Sequence, residues 1–187
     1  YEKFSKLNSE DVLVLAGSVP SSLPADIYSD IIKLVAEKGV KIVVDATGDL
    51  LVKCLKYKPF LIKPNNFELE QIFNVKLDLR EDIVKYTLKL KEMGAANVLV
   101  SMGADGAILV DEYGKCYDLN APDGKVVNTV GAGDSMVAGF LAGFYEKKDY
   151  EYAFKLSVAA GSASAFSEEL ATKDEIMKVY EKLEDIM

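Results

Sequence analysis

The chain has 187 residues, half of them apolar, and a formal charge of −8. That length can bury a sizeable core, and that composition excludes general disorder. The acidic balance argues against a nucleic-acid partner, although single lysines and backbone N–H groups can still hold phosphorylated metabolites.

The predicted elements alternate along the chain. Tyr1, which is not Met, enters a charged helical segment, as in a fragment or processed chain. "DVLVLAG" (Asp11–Gly17) reads as a buried strand, and "PADIYSDIIKLVAEKG" (Pro24–Gly39) as a helix with Pro at its start and Gly at its end. "VKIVVDATG" (Val40–Gly48) is a strand, "DLLVKCLKY" a short helix and "FLIKPN" (Phe60–Asn65) a third strand. "FELEQIF" and "REDIVKYTLKLKEMG" are helical, "NVLVSMG" (Asn97–Gly103) is a strand, and "GAILVDEYGKCYDL" (Gly106–Leu119) is a hairpin turning at Tyr113-Gly114. Three helices follow, near Asp134–Glu146, Tyr150–Ala165 and Thr172–Ile186. Strands that are apolar without alternation, separated by helices, imply an α/β protein with a mostly parallel sheet covered on both faces. No linker, repeat or low-complexity run interrupts residues 1–187, which predicts a single domain.

Ligands in such sheets bind beyond the carboxyl ends of the strands. The polar segments fall there: "GSVP", "DATG", "KPNNFE" and "SMGADG", with "GAGD" last. "NTVGAGDSMVAGF" places Gly131, Ala132 and Gly133 before Asp134 and then an apolar helix. Small residues at a helix entry leave N–H groups uncovered, and these groups hold anions. Taken alone, Asp134 also suits the first turn of any helix.

The absence of His excludes a Ser-His-Asp or Cys-His centre and most zinc sites. Cys54 and Cys116 follow no metal or disulfide spacing, which fits a reducing cytoplasm. No apolar run reaches the ~18 residues of a membrane span, and no signal peptide is visible, so a cytoplasmic protein without a membrane partner is expected. A Walker loop is missing. The dinucleotide fingerprint fails at Met136, where a third small residue belongs, so NAD is rejected.

A phosphate cradle with a carboxylate at its rim remains. Phosphoryl transfer needs donors for the moving group, a metal and a base. The N–H groups of 131–133 could be the donors and Asp134 the base. Lys63 could supply a cation, with Asn65 and Glu68 as oxygen groups toward magnesium, which takes few direct protein ligands. Lys63 could equally be a solvated strand end, and Glu68 a first-turn acid. In "SMGADG", Ser101, Gly103 and Gly106 let backbone approach a flat ligand, although Asp105-Gly106 is also a common turn pair.

These residues resemble the PfkB carbohydrate kinases, which have the ribokinase-like fold. "NTVGAGDSMVAGF" looks like the family's second signature. "GSVPSSLP", "VVDATG", "LIKPNNFELEQIF", "VSMGADGAILV" and "SVAAGSASAF" look like its other blocks, in order, over nearly all of the chain. The resemblance implies a three-layer α/β/α sandwich that is incomplete here. Family chains are much longer at the N-terminus, which carries the first strands, most sugar contacts and a lid. The chain then corresponds to the C-terminal nucleotide-binding portion, with ATP and Mg2+ as cofactors, a sugar phosphate as substrate and a homodimer as the possible full-length state. Among branches the wording is closest to bacterial 1-phosphofructokinase, which converts fructose 1-phosphate to fructose 1,6-bisphosphate. Tagatose-6-phosphate kinase and 6-phosphofructokinase are alternatives, and a non-catalytic nucleotide-binding module is the alternative of another class.

The resemblance also implies roles. Asp134 matches the catalytic base, and Gly131, Ala132 and Gly133 the anion hole. Asn65 and Glu68 match the magnesium element, and Lys63 and Asn65 positions near the ATP phosphates. Ser101, Met102, Gly103, Ala104, Asp105 and Gly106 match the nucleotide loop, Val158 and Ser162 the adenine pocket, and Ser18 a sugar-phosphate contact. One departure is local: Glu168-Glu169-Leu170 stands where the family has a Gly-Thr-like turn, which puts that loop and any monovalent-cation site in question.

Overall fold

The computed structural model describes residues 2–184. Tyr1 and the last part of the predicted C-terminal helix, 185–186, lie outside the described residues. The strands are β1 (Val12–Ala16), β2 (Lys41–Asp45), β3 (Leu61–Ile62), β4 (Asn97–Ser101), β5 (Ala107–Val110) and β6 (Cys116–Leu119). The helices are α1 (Glu2–Ser5), α2 (Ile27–Val35), α3 (Gly48–Leu55), α4 (Asn66–Phe73), α5 (Arg80–Glu92), α6 (Ala132–Lys147), α7 (Tyr150–Ala165) and α8 (Lys173–Glu184). One six-stranded sheet carries the strands in the order β1-β2-β3-β4-β5-β6. The first four are parallel neighbours, so each crossover needs a helix, and α2, α3 and the pair α4–α5 supply them. The α/β class and the mostly parallel sheet are as expected.

The chain divides into two compact units, Tyr1–Val100 with Val110–Cys116, and Ser101–Leu109 with Tyr117–Met187. In the first unit the register sets Val12 opposite Lys41 and Ala16 opposite Asp45, so the carboxyl ends of β1 and β2 lie side by side. β2, β3 and β4 are buried as apolar strands of a parallel sheet should be. β1 differs from its prediction as a buried strand. It is the sheet edge, only Leu15 among its residues is buried, and Val14 is 42 % exposed. An apolar run does not reveal whether anything covers it.

β3 is shorter than predicted because the ladder cannot pass Pro64, which has no N–H. α2 starts later than Pro24, since Pro24 heads a turn in which its carbonyl accepts from the Ile27 N–H. A short 3-10 turn, Ala36–Lys38, and a left-handed Gly39 end it.

In the second unit α6 and α7 come close together at two glycines of α6. A Cβ on Gly139 would lie 2.7 Å from the Leu156 carbonyl oxygen, and one on Gly143 would lie 2.8 Å from Ala153 Cα. The Ser157 hydroxyl, fully buried on α7, donates to the Met136 carbonyl at 2.8 Å. The stretch before α6 is tied to the end of α7, where the Ala165 carbonyl accepts from the N–H groups of Val127 (2.8 Å) and Asn128 (3.2 Å).

Candidate active site

α6 is preceded by Gly131, whose φ of 79° is left-handed, a conformation glycine adopts without the Cβ penalty. The turn that follows uses some of its polar groups and leaves others. The Ala132 N–H donates to the Thr129 carbonyl at 3.2 Å, and the Ser135 N–H to the Gly131 carbonyl at 2.8 Å. Among the described residues no hydrogen bond engages the N–H of Gly131, Gly133 or Asp134. Three open donors at the positive end of a 16-residue helix suit an anion. Of the three predicted donors Ala132 is thus engaged, and the Asp134 N–H, which the sequence reading did not include, is open. The Asp134 side chain is exposed on the same turn. No hydrogen bond or ion pair to its carboxylate occurs among the described residues.

The segment 101–106 folds into a tight turn of its own. The Met102 N–H donates to the Gly106 carbonyl at 2.8 Å, around a 3-10 turn at Gly103–Asp105. Gly103, Ala104 and Asp105 are exposed, Ser101 is half-buried, and Met102 and Gly106 are buried. A Cβ on Gly106 would strike the backbone at Leu119–Ala121, so this glycine is dictated by packing. On α7, Val158 is 3 % exposed and sits in the core, whereas Ser162 is half-buried and keeps some surface.

The first unit carries the other predicted residues. Lys63 is not a solvated strand end. It is 6 % exposed, and its ammonium lies 3.2 Å from the Asp45 carboxylate, joining the ends of β2 and β3. Asp45 is a residue the sequence reading did not single out; its only signal was its place in "DATG" after a strand. Asn65 and Glu68 form a capping box at the start of α4. Asn65 Oδ1 accepts from the Glu68 N–H, and the Glu68 carboxylate accepts from the Asn65 N–H, both at 2.8 Å. That leaves one Glu68 carboxylate oxygen and the Asn65 amide nitrogen for other partners. This donor set fits a hydrated magnesium held through its waters better than a fully protein-ligated ion. No cluster of three or more acidic, Cys or His ligands occurs among the described residues. Ser18 is exposed on the loop after β1. Tyr28 braces the start of that loop, its hydroxyl donating to the carbonyls of Ala16 (2.7 Å) and Gly17 (3.1 Å). Burial pushes the Tyr28 phenol above its ordinary value, with Cys54 and Asp45 adding to the shift, so it remains a donor.

Within the second unit, a groove of about 630 Å³ is lined by Lys147, Asp149, Glu151, Tyr152, Lys155 and Tyr180. It lies at the opposite end of α6 from Asp134, about 20 Å along the helix at 1.5 Å per residue. Its size does not make it the site. Lys155 pairs with Glu151 at 3.4 Å, and the Lys147 ammonium rests 3.6 Å from the centre of the Tyr152 ring.

Proteins of known name resemble the chain over most of its length. A 1-phosphofructokinase of Bacillus subtilis is 47% identical over 178 residues, which is 95% of this chain and 58% of that protein. A D-tagatose-1-phosphate kinase of Bacillus licheniformis is 38% identical over 159 residues, covering 84% of this chain and 52% of the relative. Phosphofructokinase-2 from Escherichia coli, solved in complex with substrates and products, superposes with a TM-score of 0.91 at 32% identity. That match covers 98% of this chain and 60% of the other. The chain therefore spans a little over half the length of the relatives it matches. No described helix is long and apolar enough to cross a membrane. The family described as pfkB carbohydrate kinases matches residues 2–176, and the chain belongs to that family.

Proposed function

We propose that the full-length protein is an ATP-dependent sugar-phosphate kinase that converts fructose 1-phosphate to fructose 1,6-bisphosphate. Residues 1–187 are read as its C-terminal nucleotide-binding portion, forming one domain. The observation that carries the reading is the first turn of α6, where open N–H groups and an exposed carboxylate share four consecutive residues. Binding a phosphate alone does not call for a carboxylate beside it. Proton removal from an attacking hydroxyl does.

Asp134 accepts the proton of the C6 hydroxyl as that oxygen forms its bond to the γ-phosphorus of ATP. The bond from that phosphorus to the bridging oxygen breaks, and ADP leaves with the electron pair. The N–H groups of Gly131, Gly133 and Asp134 stabilise charge on the moving group, a term worth about 3 kcal/mol per well-placed donor. Ala132 supplies the turn that aims them. In the first unit Asn65 offers its amide to a phosphate oxygen, and Glu68 orders the water shell of magnesium. The metal supplies neutralisation of the β- and γ-phosphate charge when bound. Lys63 acts near the ATP phosphates, held in place by its pair with Asp45. Ser101–Gly106 and Ser162 serve the nucleotide, backed by buried Val158. Ser18 is a sugar-phosphate contact.

The name of the Bacillus subtilis relative supports fructose 1-phosphate as acceptor. The name of the Bacillus licheniformis relative supports tagatose 1-phosphate as the second reading, in place of the 6-phosphate expected from sequence. Steady-state assays of the full-length protein decide between them. The reading expects the highest kcat/KM with fructose 1-phosphate. Higher kcat/KM with tagatose 1-phosphate, tagatose 6-phosphate or fructose 6-phosphate overturns the substrate assignment. Failure to transfer phosphate to any of the four overturns the kinase reading in favour of a nucleotide-binding module.

A further inference from the structure

Ser164 lies one residue from the end of α7 and is 2 % exposed. A serine inside a helix ordinarily turns its hydroxyl back to the carbonyl four residues earlier. This one reaches across to another element. Its hydroxyl donates to Ser135 Oγ at 2.8 Å and accepts from the Ala171 N–H at 3.2 Å. Ser135 directly follows Asp134, and its own N–H closes the turn onto Gly131. One buried hydroxyl thus joins three segments: the end of α7, the loop after it and the first turn of α6.

The surroundings show why that turn needs a brace. Nothing among the described residues holds the Asp134 carboxylate, so the backbone of the turn alone sets its direction. The loop after α7 also meets the entry to this turn. The Leu170 side chain lies where a Cβ on Gly131 would be, at 2.7 Å, and the Asn128 amide donates to the Glu168 carbonyl at 3.1 Å. Ser157, seven residues before Ser164 and on the same face of α7, makes another hydroxyl bond to α6, at the Met136 carbonyl. The two serines fix α6 at successive points along its start.

We infer that Ser164 is a positioning residue for Asp134 and the open N–H groups, acting through Ser135. The inference rests on the proposed role of Asp134 as base. Removing the hydroxyl lets the first turn rotate and blurs the aim of carboxylate and donors, while substrate binding elsewhere is untouched. The loss is smaller than the hundredfold that an ångström of misplacement can cost, because the α6–α7 packing remains.

The test uses Ser164→Ala, Ser135→Ala and the double variant in the full-length enzyme, with kcat, both KM values and thermal unfolding. The expected result is a fall in kcat of about tenfold for Ser164→Ala, with KM for ATP changed by less than about twofold. Ser135→Ala should lose a similar factor, and the double variant should be no worse than Ser164→Ala, because both break one link. Full kcat with only a lower unfolding temperature makes Ser164 a purely structural residue and overturns the inference. Multiplying losses in the double variant overturn it as well. Should Ser164→Ala not fold, Ser135→Ala decides alone, since Ser135 is half-buried and its loss leaves the Ser164–Ala171 bond intact. Asp134→Asn, measured alongside, separates the two claims. If it keeps its kcat, the base reading fails. If it loses kcat and the serine variants do not, only the positioning role fails.

Discussion

Asn65 and Glu68 satisfy each other across one helical turn, each side chain accepting the other's backbone N–H at 2.8 Å. The Asn-x-x-Glu spacing therefore has a structural use before any metal is considered, and a role in magnesium binding must be separable from it. Glutamine can keep the box but not the charge. Glu68→Gln in the full-length enzyme should leave thermal stability nearly unchanged. Its apparent magnesium requirement should rise several-fold, with activity partly recovered at higher magnesium. Glu68→Ala should lose about 1 kcal/mol of stability as well. A Gln variant with wild-type magnesium dependence makes Glu68 a helix cap only.

The Lys63–Asp45 pair is a second place where stability and function share residues. Both side chains are mostly buried, 8% and 17% exposed. Removing one partner strands a charge in a poorly solvated position. Asp45→Asn should destabilise the protein by about 3 kcal/mol, and Asp45→Asn combined with Lys63→Met should recover much of that loss. Denaturant unfolding of the two variants measures it. Equal stability of Asp45→Asn and wild type contradicts the pairing.

These two pairs also show how far the sequence could be read. The first turn of α6 was legible because its signals are local: small residues, a carboxylate and an apolar period in 13 consecutive positions. The helices of the first unit and the parallel strands were legible from period and punctuation. Asp45 as the partner of Lys63, and Ser164 as the partner of Ser135, were not. They depend on strands and helices that meet only after folding, and a serine in a helix looks the same whether or not it crosses to a neighbour. The exposure of β1 was hidden for a related reason. "VLVLA" reads as buried, but burial needs a covering element that the run itself does not encode. Asn65 and Glu68 were found by spacing, yet that spacing serves a cap and a metal shell alike.

At the far end of the chain, Thr172 and Glu175 cap α8. The Glu175 carboxylate accepts from the Thr172 N–H and hydroxyl, both at 2.7 Å. The backbone hydrogen bond first, then the side-chain one, holds the Glu175 carboxyl below its ordinary value of 4.5. A lowered folded value means the native state favours the charged form. The stabilisation is then complete above the ordinary value and is lost as pH falls through the lowered one. Glu175→Gln should unfold at a lower temperature than wild type near pH 7, and the gap should close as the pH is taken down below the ordinary carboxyl value. A gap that does not change with pH removes the charge from the explanation.

The most direct measurement is the turnover of Asp134→Asn in the full-length enzyme with fructose 1-phosphate and ATP. Asparagine is nearly isosteric and keeps the N–H of the turn, but it cannot take a proton. The expected result is a fall in kcat of about 10²–10⁴ with no loss of ATP affinity, since removing a negative charge beside the phosphates cannot weaken their binding electrostatically. Stability should change by no more than about 1 kcal/mol, the value of an acidic residue in a first turn. An Asp134→Asn enzyme that keeps its kcat and loses only that stability contradicts Asp134 as the base.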